Sequence, residues 1–409
     1  MSEGSKPVRI GLLGLGTVGA AFAELLAERA DAVEAATGRR PEISGVLTRT
    51  EGDFGAILER SDLVVELMGG TEPAREFAID AMRAGRPVVT ANKQLLAQHG
   101  DELFAIAREA GVQLRFEAAV AGVIPIVRTI QESFGVTEIS KVFGIVNGTT
   151  NFILSEMAES GASYGDVLAQ AQELGYAEAD PSDDVSGADA AAKMAILARL
   201  AFHTPVTLSE VSYEGIEGIR PDDLAYAKEL GLSLKLLGVA ERRDGGISVR
   251  VFPCFLYRGH PLAPIEGPFN AVMVEAPAIT EVTMSGPGAG GMQTASAVLG
   301  DVVSILAGDA PVHETRQELP IVADVSSSFY LYLEVADQPG VLARVATVLG
   351  DHGISVKSVV QRGIGDDARL VMVVHECLES RFAAAVRALG ELDDLRAPAR
   401  SIRVIEEEF

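Results

Sequence analysis

Asp189 and Lys193 are the pair of side chains best suited to proton transfer, because they stand four residues apart in the apolar segment 187–202. If that segment is a helix, the spacing puts both side chains on one face. The segment continues as AAAKMAILARLAF, which is too apolar for a surface helix, so we expect the lysine to be partly buried and paired. Burial and pairing tune an amine for proton transfer. The alternative is a solvated ion pair, which stabilises a helix by about 0.2 to 0.5 kcal/mol.

Two polar segments could bind a ligand near this pair. The run GYAEADPSDD at 175–184 has four acidic residues in its last seven positions and directly precedes the helix. Such a run either caps a helix or supplies carboxylates for a cationic group. The segment NGTTN at 147–151 lies between a predicted strand and a predicted helix, where an N-cap explains one or two of its side chains. Its other polar groups indicate a substrate or nucleotide contact.

A glycine-rich turn follows the apolar run VRIGLL at 8–13 and opens an apolar-periodic segment at 18–36. The order strand, turn, helix is the one that the dinucleotide-binding fingerprint requires. Its first glycine allows the turn, the second lets a pyrophosphate approach the backbone, and the third packs the helix on the strand. A purely structural glycine turn is the alternative. The cofactor-binding residues predicted here are Gly14, Gly16, Thr17, Val18 and Gly19.

The residue after the second predicted strand discriminates between NAD and NADP. An acidic side chain there binds the ribose hydroxyls, whereas a basic one accepts a 2′-phosphate. Arg49 occupies this place in the sequence TRT at 48–50, which favours NADP over NAD. An exposed loop arginine is the alternative, and Glu51 or Asp53 could still serve a ribose.

Lys93 directly follows a fourth predicted strand, PVVTAN at 87–92. In an open parallel sheet, ligands bind at the carboxyl edge of the strands. Only 7 of the 34 basic residues are lysines, so a lysine at this edge indicates a need for a compact ammonium or for its tunable pKa. Chance placement is an equal alternative.

The order of predicted elements divides the chain into three units. Strands alternate with helices in the first, which is typical of a doubly wound parallel sheet. Longer helices follow, and the last unit has the order strand, helix, strand, strand, helix, strand of a ferredoxin-like fold. We therefore predict an α/β protein with a Rossmann-type domain at 1–130 that is completed by part of 285–320, an α+β domain at 131–315, and a ferredoxin-like domain at 328–409.

Composition narrows the class of protein further. The 409 residues carry 58 acidic and 34 basic side chains, and the net charge of −24 repels nucleic acid. No run approaches the roughly 18 to 20 apolar residues of a spanning helix, and the N-terminus lacks a signal-peptide pattern. We therefore expect no membrane segment and a cytoplasmic protein. The two cysteines, Cys254 and Cys377, match no metal-ligand spacing.

Several motifs together resemble homoserine dehydrogenases that carry a C-terminal ACT domain. The most specific is GYAEADPSDDVSGADAAAK at 175–193. The others are GLGTVG at 14–19, VVTANK at 88–93, EAAVAGVIPI at 117–126, GIVNGTTNFIL at 144–154 and GPGAGGMQTASAVLGD at 286–301. The resemblance implies reversible reduction of L-aspartate 4-semialdehyde to L-homoserine with NAD(P)H, on the route to threonine, methionine and isoleucine. A dehydrogenase of a related amino acid semialdehyde and a non-catalytic sensor of the same fold are the alternatives.

The resemblance also implies roles for individual residues in the reaction. Lys193 is the implied proton donor, and Lys93 lies beside the substrate and the nicotinamide. An ammonium fits this chemistry, because hydride transfer to an aldehyde leaves an alkoxide that an ammonium stabilises and protonates. The other implied residues are Glu178, Asp184 and Asp189 for the substrate, and Gly175 and Gly290 for the nucleotide.

A monovalent cation, Na⁺ or K⁺, is a further ligand that the resemblance implies. Its role would be structural, and backbone carbonyls would provide most of its ligands. The chain has Val123 where the family usually carries a second glycine. The implied cation site consists of Glu117, Val120, Gly122 and Ile124.

The C-terminal unit resembles an ACT domain, in which a strand-to-helix turn holds an amino acid. Asp337, Gly340 and Val341 match that turn, and threonine is the implied effector. N–H groups at a helix start suit a carboxylate. A unit that only pairs subunits is the alternative, and we expect a homodimer or a homotetramer in either case.

Overall fold

The computed structural model describes residues 7–308 and 317–405. Its first sheet is parallel and consists of β1 (Val8–Leu13), β2 (Pro41–Leu47), β3 (Leu63–Glu66), β4 (Val88–Thr90) and β5 (Leu114–Arg115). The helices between these strands are α1 (Thr17–Thr37), α2 (Phe54–Arg60), α3 (Ala74–Arg83) and α4 (Lys93–Ala110). The strand order β2, β1, β3, β4, β5 confirms a doubly wound, Rossmann-like sheet and puts its switch point between β1 and β3.

The second unit combines a mixed sheet with helices. Its strands are β6 (Lys141–Ile145), β7 (Ser212–Tyr213), β8 (Leu232–Arg243), β9 (Gly246–Tyr257), β10 (Phe269–Ala276) and β11 (Thr280–Pro287). Its helices are α5 (Ile126–Arg128), α6 (Gly148–Ser160), α7 (Tyr164–Glu173), α8 (Ser182–Val185), α9 (Ala188–Phe202), α10 (Pro221–Glu229) and α11 (Gly291–Ala307). The sequence pattern predicts α6, α7 and α9, but the long strands β8 to β11 were not predicted.

Helix α11 returns to the first unit and packs against α1. Leu12 of β1 therefore contributes to a core that contains Val298 of α11. Leu13 points to the opposite face and joins a separate core with Val64. Because both faces of the sheet are covered, its central strands are almost continuously apolar. The part of 285–320 that meets the first unit is thus a helix, whereas β11 belongs to the second sheet.

The third unit is ferredoxin-like, as predicted. It consists of β12 (Ser326–Glu334), α12 (Val341–Asp351), β13 (Val356–Arg362), β14 (Arg369–Leu378), α13 (Glu379–Gly390) and β15 (Arg400–Ile405). Strand β15 pairs in parallel with β9, so the second and third units share one sheet in the order β11, β10, β6, β8, β9, β15, β12, β14, β13. Arg250 of β9 also forms an ion pair with Glu379 at the start of α13, with 2.5 Å between nitrogen and oxygen.

Two local features of the first unit depart from what the sequence pattern predicts. The acidic residues at 101–102 and Gly111 predict a helix over 101–111, but α4 begins at Lys93, because the Asn92 side chain caps it by accepting a hydrogen bond from the Leu95 N–H at 3.0 Å. The apolar run VQLRFEAAV predicts a strand over 112–120, but only β5 forms, since residues Glu117–Ala119 turn into a short 3-10 helix.

Some expectations concern the chain as a whole. No helix in the described part of the chain is both long enough and apolar enough to span a membrane. Cys254 and Cys377 are free and buried. The predicted domain ends at 1, 315 and 409 lie outside the described residues, which leave out 1–6, 309–316 and 406–409.

Two glycines let α9 approach the sheet closely. Gly144 of β6 and Gly238 of β8 are register partners, and both face Met194 of α9. A Cβ atom at Gly238 would lie 2.3 Å from Met194 Cγ. The absence of these two side chains therefore determines how deeply the helix that carries Asp189 and Lys193 sits.

We predict that Gly238→Ala destabilises the fold by about 1–3 kcal/mol, the usual effect of overpacking a core. A lowered midpoint of thermal unfolding would report it. The matched control is Gly165→Ala in α7, where an added Cβ meets no atom within 4 Å. Met194→Ala should partly restore the Gly238→Ala protein, and a double variant that is as unstable as the summed single variants would contradict this packing.

Candidate active site

The glycine turn after β1 has the geometry of an anion-binding turn. Gly14 has φ +100°, and a Cβ there would lie 2.5 Å from the Leu67 carbonyl oxygen. A Cβ at Gly19 would lie 2.1 Å from the carbonyl oxygen of Gly14. Gly16, by contrast, faces open space and precedes α1 without a side-chain cap. The first N–H groups of α1, from Thr17 and Val18 onward, are therefore available to a pyrophosphate. The glycine turn leaves room for such a group.

A cleft of about 320 Å³ continues from this edge of the sheet toward the second unit. Gly290 has φ +131° and precedes α11, and the neighbouring Gly291 would bring a Cβ to 3.0 Å from Thr17 Cγ2. The starts of α1 and α11 thus lie side by side. The residues that line the cleft include Gly69, Gly70, Asn92, Lys93, Gly122, Lys193 and Thr294.

Asp189 joins the two lysines of the cleft. It lies in the first turn of α9, is 4% exposed, and forms ion pairs with both Lys93 and Lys193. The distance from Lys193 Nζ to Asp189 Oδ2 is 2.7 Å, and the same ammonium donates to the Val146 carbonyl at 2.8 Å. The partly buried lysine that the i, i+4 spacing predicts is therefore present, because the Lys193 side chain is 13% exposed.

Charged neighbours shift the pKa values of Asp189 and Lys93. Burial acts to raise the pKa of Asp189, but the ammonium groups of Lys193 and Lys93 hold it well below its usual range. Burial alone would lower the pKa of Lys93, yet Asp189 and the nearby Asp184 outweigh that effect and raise it. Asp189 and Lys93 are thus charged at neutral pH.

Asn147 connects a second acid to the cluster. Its Nδ2 donates to Asp184 Oδ1 at 2.7 Å and to Asp189 Oδ2 at 2.9 Å. Its Oδ1 accepts from the Thr150 N–H at 2.8 Å and so caps α6. Burial and the neighbouring Asp189 raise the pKa of Asp184, against the hydrogen bond from Asn147. The polar turn at 147–151 therefore both caps a helix and orients two carboxylates.

Glu178 lies apart from these contacts. Its side chain is exposed on the loop between α7 and α8. Gly175 opens this loop with φ +76°, and the Thr149 hydroxyl holds it by donating to the Tyr176 carbonyl at 2.7 Å. The structure thus gathers Asp184, but not the Glu178 carboxylate, around Asp189.

Arg49 is exposed in the loop that follows β2. This loop is close to the glycine turn, because the Gly14 N–H donates to the Leu47 carbonyl at 2.8 Å. Asp53, the alternative ribose ligand, instead caps α2 by accepting from the Ala56 N–H at 2.7 Å. The basic side chain therefore has access to solvent at this edge, whereas the nearby aspartate is engaged.

The carboxylate of Glu117 is engaged within the protein. It accepts hydrogen bonds from the N–H groups of Val127 at 2.7 Å and of Arg128 at 2.9 Å. Burial raises its pKa to about 7. Gly122 has φ +65°, and the Ile124 carbonyl accepts from the Ile126 N–H at 2.7 Å, so a second lone pair on that oxygen remains. No cluster of three or more His, Cys, Asp or Glu side chains suited to a metal occurs in the described residues.

The candidate effector turn also uses its acid locally. Asp337 Oδ2 accepts from the Gly365 N–H at 2.9 Å. Gly340, with φ +91°, precedes α12, and Val341 is buried in the core of the unit. The backbone at the start of α12 is therefore the part of this turn that suits a carboxylate.

Three polar residues at the carboxyl edge of the first sheet were missed by the sequence reading. They are Glu66, Thr90 and Asn92, and all three are buried. The available signal was a glutamate that ends the otherwise apolar strand LVVE.

The chain matches three family models that together cover most of its length. Residues 14–117 match the NAD-binding domain of homoserine dehydrogenase, residues 125–303 match the homoserine dehydrogenase family, and residues 329–394 match the ACT domain. A homoserine dehydrogenase from Corynebacterium glutamicum is 44% identical, with 97% of this chain and 95% of the relative covered. One from Neisseria gonorrhoeae is 38% identical, with 98% and 99% covered.

Solved structures that resemble this chain are also homoserine dehydrogenases. A crystal structure of a homoserine dehydrogenase from Thiobacillus denitrificans has a TM-score of 0.92 and 37% identity, covering 98% of this chain and 99% of that one. A hyperthermophilic archaeal homoserine dehydrogenase in complex with NADPH has a TM-score of 0.66 and 26% identity, covering 75% and 100%. The chain therefore belongs to the homoserine dehydrogenases, NAD(P)-dependent oxidoreductases with an NAD-binding domain, a catalytic domain and a C-terminal ACT domain.

Proposed function

We propose that Lys193 is the proton donor in the reduction of L-aspartate 4-semialdehyde to L-homoserine and that Lys93 lies beside the reacting groups. The observation that carries this proposal is the buried Asp189 shared by two ammonium groups that line one cleft. When bound, the nicotinamide supplies the hydride. The alkoxide that results is stabilised and protonated by an ammonium held at the cleft.

The hydrogen bonds of Lys193 support its role. An ammonium has three N–H donors, and the Val146 carbonyl and Asp189 accept two of them. The third donor is available to a substrate oxygen in the cleft. In the oxidising direction the neutral amine takes the hydroxyl proton back, and the adjacent Lys93 keeps Asp189 paired.

We assign the substrate's cationic amino group to Asp184, Asp189 and Glu178. The half-buried Asp184 supports this assignment, because the Asn147 amide holds it beside Asp189. Glu178 is exposed, so its part in binding depends on the loop at 175–181. Carboxylates form charge-assisted hydrogen bonds with an ammonium, which gives this pocket a preference for amino acids.

We assign the nucleotide to the glycine turn, with Gly14, Gly16 and Gly19 shaping it and with Gly175 and Gly290 as further contacts. NADP is the preferred cofactor and NAD the alternative. The exposed Arg49 and the engaged Asp53 support a site for a 2′-phosphate at the end of β2. The first domain of this assignment spans 1–130, the catalytic domain 131–315 and the ACT domain 328–409.

Three further parts of the proposal concern binding beyond the reaction. A monovalent cation would contact backbone carbonyls at Glu117, Val120, Gly122 and Ile124 and hold the two domains in register. Threonine would bind at the turn from Asp337 to Val341 as the effector. We expect a cytoplasmic homodimer or homotetramer.

An absorbance assay at 340 nm tests this proposal directly. Homoserine is offered with NADP⁺ or with NAD⁺, each with and without threonine, and close analogues of homoserine serve as competing substrates. Faster turnover of homoserine with NADP⁺ and inhibition by threonine are expected. A clear preference for an analogue would overturn the substrate assignment, and indifference to threonine would overturn the effector assignment.

Lys193→Ala should lower kcat by about 10² or more, because general acid catalysis contributes that much to a rate. The affinity for NADPH, measured by fluorescence titration, should change little. Lys228→Ala, which removes an exposed lysine from α10, is the matched control. Turnover of the Lys193→Ala protein close to that of the control would refute the assignment.

Arg49→Ala should raise the KM for NADP⁺ by about 10- to 100-fold, which corresponds to losing a charged hydrogen bond worth about 1.5–3 kcal/mol. The KM for NAD⁺ should stay nearly constant, because NAD⁺ has no 2′-phosphate. Arg60→Ala, at the exposed end of α2, is the control. Equal losses with both nucleotides would mean that Arg49 does not bind the phosphate.

A further inference from the structure

Glu66 is a fully buried carboxylate at the switch point of the first sheet, and the reaction leaves it without a role. It is the last residue of β3 and is 0% exposed. Its register partners are Leu13, which ends β1, and Thr90, which ends β4. The carboxyl ends of these strands face the nucleotide and the reacting groups in sheets of this type.

Each oxygen of Glu66 has its own donor. Oε1 accepts from the Met68 N–H at 2.7 Å, and Oε2 accepts from the Thr90 hydroxyl at 2.5 Å. Thr90 Oγ1 in turn accepts from the Asn92 N–H at 3.0 Å. The carboxylate therefore binds the turn after β3 and, through one hydroxyl, the junction between β4 and α4.

Asn92 closes this network into a ring. Its Nδ2 donates to the Gly70 carbonyl at 2.5 Å, on the same turn that Glu66 holds through Met68. Its Oδ1 caps α4 by accepting from the Leu95 N–H. Lys93 is the next residue, so the ring fixes both the Gly70 wall of the cleft and the backbone from which the Lys93 side chain leaves.

Burying a carboxylate at this position is energetically unfavourable. Burial acts to raise the pKa of Glu66, and hydrogen bonds from Thr90, Met68 and neighbouring groups only partly offset that effect. A valine or leucine would complete the apolar run LVV without this penalty. The hydrogen-bonding capacity of the residue, and not its packing, therefore accounts for its presence.

We propose that Glu66, acting through Thr90 and Asn92, is a positioning residue that holds the Lys93 ammonium and the Gly69–Gly70 turn in place for the reaction. The inference rests on the role proposed above for Lys93. A displacement of about 1 Å at a reacting group can lower a rate by about 10²-fold. A hydrogen-bonded ring one residue away from Lys93 is suited to prevent such a displacement.

The test compares Thr90→Val with Thr90→Ser in the full-length enzyme. Valine keeps the volume of threonine but removes the hydroxyl, whereas serine keeps the hydroxyl and loses a methyl group. We expect kcat to fall about 10-fold or more in Thr90→Val and to stay within about threefold of the parent in Thr90→Ser. Thermal unfolding midpoints of both variants report any general loss of stability from substitution in this buried site.

A double variant tests whether Thr90 acts through Lys93. If it does, Thr90→Val should lower kcat no further in a protein that already carries Lys93→Ala. Losses in kcat that multiply in the double variant, or equal kcat values for Thr90→Val and Thr90→Ser, would overturn the inference. Normal turnover of Lys93→Ala alone would instead overturn the proposed function, so the two failures are distinguishable.

Glu66→Gln provides the same test if Thr90→Val does not fold. Glutamine is nearly isosteric, but its amide nitrogen cannot accept the hydroxyl proton of Thr90. The same fall in kcat, absent from a Lys93→Ala background, is expected. Full activity of Glu66→Gln would overturn the inference.

Discussion

The cleft between the first and second units depends on one buried carboxylate that is shared by two ammonium groups. Asp189 is 4% exposed and contacts Lys93 and Lys193, which come from helices of different units. Without the aspartate, the two cations would repel each other and would each have lost part of their hydration. Breaking a buried pair usually costs about 3–5 kcal/mol, because it leaves an uncompensated charge. The cluster is thus the condition under which two ammonium groups can stay in one cleft.

The fold brings α4, α9 and the turn before α6 to this carboxylate. Gly144 and Gly238 let α9 sit deep on the sheet, so that Lys193 reaches the Val146 carbonyl. Asn147, which follows that carbonyl, uses one end of its amide to cap α6 and the other to orient Asp184 and Asp189. Backbone contacts and charge contacts are therefore satisfied by the same few groups.

The sequence predicts those features that local spacing determines. The i, i+4 pair, the glycine turn and the order of the ferredoxin-like unit can each be read from a short stretch of chain. Strands β8 and β9 escape such a reading because both of their faces are covered. Leu236 lies in one core and the adjacent Leu237 in another, so the alternation of apolar and polar residues that marks a half-exposed strand is absent.

Residues far apart in the sequence are a second limit on prediction. The contact between Lys93 and Asp189 joins positions 96 residues apart. From the sequence, only the resemblance to a family predicts that these two residues belong to one site. Glu178 belongs to the same motif as Asp189, but its side chain is exposed on a loop. A motif therefore groups residues that are close in the sequence, whereas the packing of the chain determines which of their side chains touch.

The junction between the catalytic and ACT units follows the same physical rule as the cleft. Arg250 of β9 is almost fully buried and contacts Glu241 at 2.9 Å and Glu379 of α13 at 2.5 Å. Arg403 of β15 donates two hydrogen bonds of 2.8 Å to Glu379 and forms an ion pair with Glu214 at 3.0 Å. Separating β15 from β9 would break the two pairs that cross the junction, Arg250 with Glu379 and Arg403 with Glu214. The buried Arg250 would keep only Glu241 as a partner.

The junction also contacts the catalytic unit near Asp184. The chain carries Glu214 into Ile216, whose N–H donates to the Val185 carbonyl at 2.9 Å, one residue beyond Asp184. The ACT unit is therefore an integral part of the sheet that supports Asp184 and Asp189.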